Sequence, residues 1–503
     1  MRVLLWHGWL LEGSGSNIYA ARTAEVLRED GHDVLLVCQE RHVERYRWID
    51  ASGTVDATGP SALTPNPAAV ASDAGGRCVL LRPSIGEVLP VFVLDEYEGF
   101  TVRRFVDLDD ATVAAYLAAN VDALRAAVAW HDPEVAVSGH AIPGAVVAAR
   151  ALGGVPYVAK IHGSDLEYAI REQPRFAALA AEGLDAARAV VGASRDVLDR
   201  CAELVPGLGE LGPVVAPGLD ARTFRPRDRT EALLDVAERL RRDADVERGR
   251  PVGHDDEVRR ALAARNPNGF DALAATYDQA VPEQGAADRL EALARSDRPI
   301  VGSFGKLIEQ KGVHLLLEAA RSTRVRADVL VVGFGSFREW LAALALVEDE
   351  ETRRWIASVW PGSSLELAPA EAPPAAVAFT GRLDHRYAPD ALAAMDVLVV
   401  PSILAEAFGM VAIEGVAAGA LPLVARHSGL GEIAAALEAE IARPGLFSFG
   451  PGEGAAGRIA RGLDALLGMD PAERQEVAGA ITSFAGREWS WRATARRLLD
   501  AVR

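Results

Sequence analysis

Two series of short β-branched runs, each run followed by an Ala-rich helical stretch, constrain this 503-residue chain most strongly. The first series holds "RVLLWH", "VLLVC", "EVAVSG", "PYVAKIHG", "AVVGAS" and "GPVVAPG", with a helix expected around 17–30 after the first run. The second starts near 299 and holds "PIVGSFG", "DVLVVGFG", "AVAFTG", "DVLVVPS" and "LPLVA". Runs of this length separated by helices make βαβ units and a parallel sheet. Between the series, 228–297 is charged, helix-favouring and free of strand-like runs, and reads as a helical insertion or elaborated linker. The expected fold is therefore α/β, with two Rossmann-like doubly wound domains over 1–227 and 298–484 and a terminal amphipathic helix over 485–503, in which Trp491 packs. Such sheets bind ligands at the carboxyl ends of their strands, so a cleft faced by both domains is the expected site.

Charge and cysteine usage exclude several classes. The 53 basic and 71 acidic residues leave a net charge of −18. That argues against a nucleic-acid backbone binder, though one local basic pocket remains compatible with it. Cys38, Cys78 and Cys201 show no metal-ligand spacing and imply neither a disulfide framework nor a zinc site. The opening "MRVLLWHGWL" reads as a buried strand and lacks the pattern of a signal peptide. The apolar stretch 391–425 is interrupted by Asp396, Pro401, Glu406, Glu414 and Pro422, which disfavours a membrane span. A cytoplasmic protein without a transmembrane segment is expected.

Two of those interruptions carry the functional argument. "LAEAFGMVAIEGVAAGALP" places Glu406 and Glu414 eight residues apart in one of the most apolar parts of the chain, where a carboxylate is costly without partners. The spacing predicts Glu406 in a loop and Glu414 about one and a half turns into a helix that starts near Gly409. The amides of Phe408, Gly409 and Met410 then form a helix N-terminus suited to an anion. Read alone, Glu406 would be a solvated loop carboxylate and Lys306 and Lys311 surface lysines. The five-residue spacing of the two lysines after a strand ending in Gly305 favours a phosphate site. His162, at a strand's carboxyl end, is either a satisfied core histidine or a site residue. His140, Asp384, His385 and His427 are read as structural.

These segments, taken in order, resemble the retaining glycosyltransferases of family four, of GT-B fold. "EAFGMVAIE" is similar to their E-x7-E signature, and "VGSFGKLIEQKGVHLLLEA" to their "GRL…KG…LL.A" segment. "LVVGFGS", "FTGRL…MDVLVVPS", "GSGSNIYAARTAEVLREDGHDVLLV", "KIHGSD" and "PGLDARTFRP" extend the likeness over both halves, excluding roughly 228–297. Lys306 departs from the family's usual Arg, keeping the charge without the planar fork. "APGLD" lacks the Asn often found there.

The resemblance implies a hexosyltransferase that moves a sugar from a nucleotide-sugar donor to a hydroxyl acceptor, which could be a saccharide, a small molecule or lipid-linked. The anomeric configuration is retained and no metal or cofactor is needed. It implies that Glu414 holds the ribose hydroxyls and Glu406 accepts hydrogen bonds from the donor sugar. Lys306 and Lys311, with Gly305 and the 408–410 amides, would neutralise the diphosphate. His162 would approach the sugar, and Gly15 with Asn17 would admit the phosphates and acceptor. It also implies an acceptor-side first domain, a donor-binding second domain and a last helix returning toward the first. A non-hydrolysing sugar-nucleotide 2-epimerase and a catalytically inactive binding protein are the alternatives. An α/β-hydrolase is excluded by the missing Gly-x-Ser-x-Gly elbow, and a Rossmann dehydrogenase by the missing third glycine in "GSGSNIY".

Overall fold

In the computed structural model, strand Arg2–Trp6 has four of its five residues buried, as a strand flanked on both sides and both faces requires. The structure is described for all residues except 94–96, 98, 363–364 and 369–374. The chain divides into two units: Met1–Gly218 with Trp489–Arg503, and Leu219–Glu488.

Among the described residues, the first unit has a nine-stranded sheet. Its parallel core runs Ala189–Val191, Tyr157–Lys160, Val135–Gly139, Arg2–Trp6, Asp33–Val37, Arg77–Pro83, Ala51–Asp56. The strand order reverses between Arg2–Trp6 and Val135–Gly139, which makes the carboxyl ends of these two strands the topological switch point. Strand Ala51–Asp56 lies within 40–75, a stretch expected from sequence to be a loop that sets acceptor choice, and strand Arg77–Pro83 lies where no element was expected. The expected strand in "GPVVAPG" is reduced to a single bridge between Val214 and Gly192. Pro213 and Pro217 on either side lack the N–H groups that a ladder uses.

Helix Gly15–Glu29 follows the first strand, and Ser14 caps it by accepting from the Asn17 N–H. Helix Trp491–Val502 packs on it within the same unit. Trp491 is buried, and the Thr494 hydroxyl donates to the Ala216 carbonyl at 2.9 Å.

The second unit has a six-stranded, wholly parallel sheet, in the order Val377–Phe379, Asp328–Val332, Ile300–Phe304, Val397–Val400, Leu421–Ala425, Ser448–Phe449. Its order reverses between Ile300–Phe304 and Val397–Val400, giving a second switch point. The 228–297 stretch is helical, including Arg229–Leu240, His254–Ala263 and Ala286–Ala294, and belongs to this unit. Its anchors are ionic and buried. Arg250 forks onto Glu339 at 2.7 and 2.9 Å, and Glu283 is held by Arg338 and by Arg289. Among the described residues no helix is long and apolar enough to cross a membrane.

Candidate active site

The second switch point gathers most of the predicted residues. Val301 pairs with Val397 and Gly302 with Leu398, so the loops that leave these two strands start side by side. The first loop carries Gly305, Lys306 and Lys311; the second carries Ser402, Glu406 and Phe408. Gly312 closes the first loop with φ of +67°, and a Cβ there would lie 2.0 Å from the Pro401 carbonyl oxygen. Glycine is therefore required for the two loops to touch.

Lys311 Nζ donates to Glu406 Oε1. The Ser402 hydroxyl donates to the same oxygen at 2.9 Å, and the Glu406 N–H donates to Ser428 Oγ at 2.9 Å. His427 braces both serines, with Nε2 2.8 Å from the Ser402 carbonyl and Nδ1 3.1 Å from Ser428 Oγ. Lys311 and Ser402 thus fix the carboxylate and Ser428 the backbone of the same residue, whose side chain is still 20% exposed. Ser402, His427 and Ser428 were not picked out as site residues from sequence. The only available signal was the strand-end position of "PS" and "RHS". Lys306 is exposed and has no ion-pair partner among the described residues.

Helix Met410–Ala418 begins at Gly409, whose φ of +111° only glycine adopts readily. A Cβ at Gly409 would also meet Leu430 at 2.4 Å. Glu414 is the fifth residue of this helix, partly exposed, with no hydrogen-bond partner among the described residues. Burial pushes its carboxyl up to about 7. A carboxylate in that condition gains from any ligand that brings hydroxyl donors. The floor beside Lys306 is backbone: Gly305 N–H donates to Val332 O at 3.0 Å, and Gly333 N–H to Gly381 O at 3.0 Å.

The first switch point holds the rest. His7, His140 and His162 lie just beyond the ends of three neighbouring strands, with ring centroids 6.2 Å apart for His7–His140 and 4.5 Å for His140–His162. Burial drives all three well below the ordinary histidine range, His7 to about 4, so the cluster is neutral. Asn17 is committed inward. Its Oδ1 is 3.0 Å from His7 Nε2, and its Nδ2 donates to the Glu12 carbonyl. Gly15 is exposed at the start of the helix.

His140, read as structural from sequence, is fully buried with a positive φ of 73°, and neither ring nitrogen has a partner among the described residues. Such strain concentrates at functional sites. Lys160 is buried beneath His162, donates to Val215 O at 2.6 Å, and lies 5.0 Å from the Tyr19 ring centroid. Burial lowers it to about 7. The Tyr19 ring in turn touches His162 and Trp491 edge-on at 5.3 and 5.8 Å. Asp165 accepts from Ala141 N–H at 2.6 Å and Gly163 N–H at 2.9 Å, which ties the His140 turn to the His162 turn. No group of three or more His, Cys, Asp or Glu among the described residues is placed to hold a metal ion.

Two family models match this chain. One, described as glycosyl transferases group 1, matches residues 286–467, and the other, a glycosyl transferase 4-like domain, matches 14–208. No curated protein matches the sequence significantly. Among solved structures, sucrose-phosphate synthase from Thermosynechococcus elongatus superposes with a TM-score of 0.57 at 16% identity, covering 99% of this chain and 97% of that one. Anabaena HepE in complex with UDP and glucose gives 0.55 at 14%, covering 100% and 99%. The catalytic domain of starch synthase IV from Arabidopsis thaliana, bound to ADP and acarbose, gives 0.57 at 14%, covering 100% and 98%. At such identities the likeness establishes the fold, which is GT-B with two Rossmann-like domains.

Proposed function

The chain belongs to the glycosyl transferases of group 1, and from that premise we propose that it transfers a hexose from a nucleoside-diphosphate sugar to a hydroxyl acceptor with retention of configuration. The observation that carries the reading is the Lys311–Glu406 pair at the second switch point, flanked by Lys306 and by the helix that bears Glu414. Two lysines and the amides at Gly409 and Met410 suit a diphosphate, whose developing charge is the main thing to stabilise when the anomeric bond breaks. Glu414 takes the ribose hydroxyls and Glu406 the hydroxyls of the sugar. His162, neutral and at a strand end, is assigned to the sugar as well. Gly15, at the exposed start of its helix, is assigned to the phosphates and acceptor, and Asn17, buried and bonded to His7 and Glu12, holds that turn in place.

In this scheme the bond from the anomeric carbon to the phosphate oxygen breaks while the acceptor oxygen bonds to the same face. The acceptor proton passes to the departing phosphate. The countercharge comes from Lys306 and Lys311, so the proposal has no metal in it. The similar structures that contain UDP with glucose, or ADP, support a nucleotide-sugar donor.

A thermal-shift panel of UDP-, GDP- and ADP-sugars tests the donor, since a ligand of the folded state raises the melting temperature by mass action. NMR of the product's anomeric proton then tests retention. Conversion of the donor to its 2-epimer without acceptor would replace transfer with isomerisation. Nucleotide binding without turnover on any acceptor would leave a binding protein.

A further inference from the structure

The first unit contains a cavity of about 270 Å³ separate from the histidine cluster, lined in part by Gln39, Arg41, Thr54, Arg82, Ser84 and Phe100. Strands Asp33–Val37 and Arg77–Pro83 pair in parallel, and the residues just past their carboxyl ends build the cavity wall. Gln39 connects it to the switch point. Its N–H donates to Trp9 O at 2.9 Å and its Nε2 to Pro83 O at 3.0 Å. The Trp9 ring lies 4.6 Å from that of His140. Two strand spacings, about 10 Å, separate Arg77–Pro83 from Arg2–Trp6.

The cavity's charge is what needs explaining. Many arginines of this acidic chain are held by carboxylates, as Arg28 is by Asp50 and Arg175 by Asp110. Arg41 instead lies over the Phe100 ring at 4.7 Å and spends one N–H on Gly99 O at 3.3 Å. Arg82 has no carboxylate partner among the described residues, and neither has Arg41. The adjacent acid, Glu40, is buried and occupied by the N–H groups of Leu11, Arg41 and His42 at 3.2, 3.0 and 2.9 Å. Two guanidinium groups that no carboxylate among the described residues takes up, beside the Ser84 and Thr54 side chains, match an oxyanion in charge.

We propose that this cavity is the acceptor subsite and that it binds an oxyanion substituent, a phosphate ester or a carboxylate, carried by the hydroxyl acceptor. The assignment rests on the transferase reading and narrows it to anionic acceptors. It places the charged end of the acceptor at Arg41 and Arg82 and leaves its hydroxyl toward the histidines.

The test starts with binding. Inorganic phosphate and, separately, acetate are titrated into the full chain with the nucleoside diphosphate selected by the thermal panel at saturation. Phosphate is followed by 31P line width and acetate by 1H line width. Wild type should broaden at least one anion, and Arg41→Gln/Arg82→Gln should abolish that broadening while its nucleotide affinity stays within twofold. Which anion broadens distinguishes phosphate from carboxylate. Nucleoside-diphosphate release is then compared for a hexose, its 6-phosphate and its uronate. The anionic acceptor should exceed the neutral one by at least tenfold in kcat/KM through a lower KM, and the arginine variants should close that gap. Broadening that is absent, or that persists in the double variant, overturns the subsite, as does equal use of neutral and anionic acceptors. If no nucleotide binds, the titrations are run without one. Arginine-dependent broadening would then keep the anion cavity and remove the transferase reading.

Discussion

Lys311 and Glu406, 95 residues apart, form an ion pair between loops that leave adjacent strands of the second sheet. Both side chains are partly open to solvent, 30% and 20% exposed. A pair of that exposure contributes little to stability, about 1 kcal/mol or less. The fold therefore does not depend on this contact, yet Ser402 joins Lys311 on the carboxylate, Ser428 holds the Glu406 backbone, and His427 braces both serines. Orientation without a stability gain is what a reacting group needs.

Stability and turnover should accordingly separate at this pair. Glu406→Gln and Lys311→Met are expected to shift unfolding midpoints by no more than about 1 kcal/mol each. The same changes should lower turnover by roughly 10²–10³, the range seen when one group that stabilises charge in the transition state is removed. Nucleotide affinity in Glu406→Gln should remain within a few fold. Urea unfolding and single-turnover kinetics on the same preparations decide it. Equal losses in both would make the pair structural.

Glu414 gives a proton count. Its carboxyl is raised from 4.5 to about 7 by burial. The folded chain then retains, between those values, a proton that the unfolded chain releases, so this group's contribution to stability falls as pH rises from 4.5 to 7 and is constant above. Glu414→Gln should therefore be more stable than wild type at pH 8, by on the order of 2 kcal/mol after allowance for partial exposure. The difference should vanish near pH 4. Ribose hydroxyls donating to the carboxylate reverse the shift, so nucleotide binding at pH 6.5 should release a proton in wild type and none in the variant. Calorimetry in two buffers of different ionisation enthalpy reads this directly. Equal heats in both buffers would remove Glu414 from the ligand.

The second site was more legible than the first, for a physical reason. In "DVLVVPS" and "EAFGMVAIE" each requirement falls on a residue type with few substitutes: a proline that ends a strand, a glycine at φ of +111°, a carboxylate inside an apolar helix. Periodicity places Glu406 in the loop and Glu414 in the helix, where both are found. The first site is assembled from His7 and His140, just past two strands, and Lys160, at the end of a third, and these strands lie adjacent only after the sheet has formed. Nothing local marks His140 in "SGHAIPG". Its backbone strain, and ring nitrogens without a partner among the described residues, are properties of the packed state. Strands Ala51–Asp56 and Arg77–Pro83 were missed because Gly53 weakens the first pattern and an arginine at each end blurs the second. Acceptor choice is expected in the loops 40–75 and 84–105, which flank the cavity at Arg41 and Arg82, but its residues are not legible there because the cavity depends on the second of these strands.

Lys160 carries a pH signature of opposite sign. Burial lowers it from 10.5 to about 7, so above pH 7 the unfolded chain binds a proton that the folded chain does not. Stability from this group rises with pH between 7 and 10.5, by at most about 1.4 kcal/mol per unit. Lys160→Met should lack that rise. Subtracting its urea unfolding free energies from those of wild type at pH 7, 8 and 9 should give a difference that moves in favour of wild type. A pH-independent difference would place the ammonium in a better-solvated setting than its burial indicates.

The last helix meets Gly218 in a close approach that a methyl group can break. A Cβ at Gly218 would lie 2.5 Å from the Trp491 backbone nitrogen and Cα, and neither neighbour is the flexible end of a side chain. Trp491 supports Tyr19, and Tyr19 backs Lys160 and His162. Gly218→Ala should therefore destabilise the chain by about 1–3 kcal/mol, the usual cost of overpacking. Trp491→Ala, which empties the same place, should cost about 3–5 kcal/mol. If the helix acts only as a clamp, turnover in both variants follows the folded fraction. If it also positions His162, turnover per folded molecule falls further, and kcat drops more than nucleotide affinity. Activity normalised to the folded fraction, measured well below each variant's melting temperature, separates the two, and the Trp491–Tyr19–His162 chain of ring contacts predicts the second.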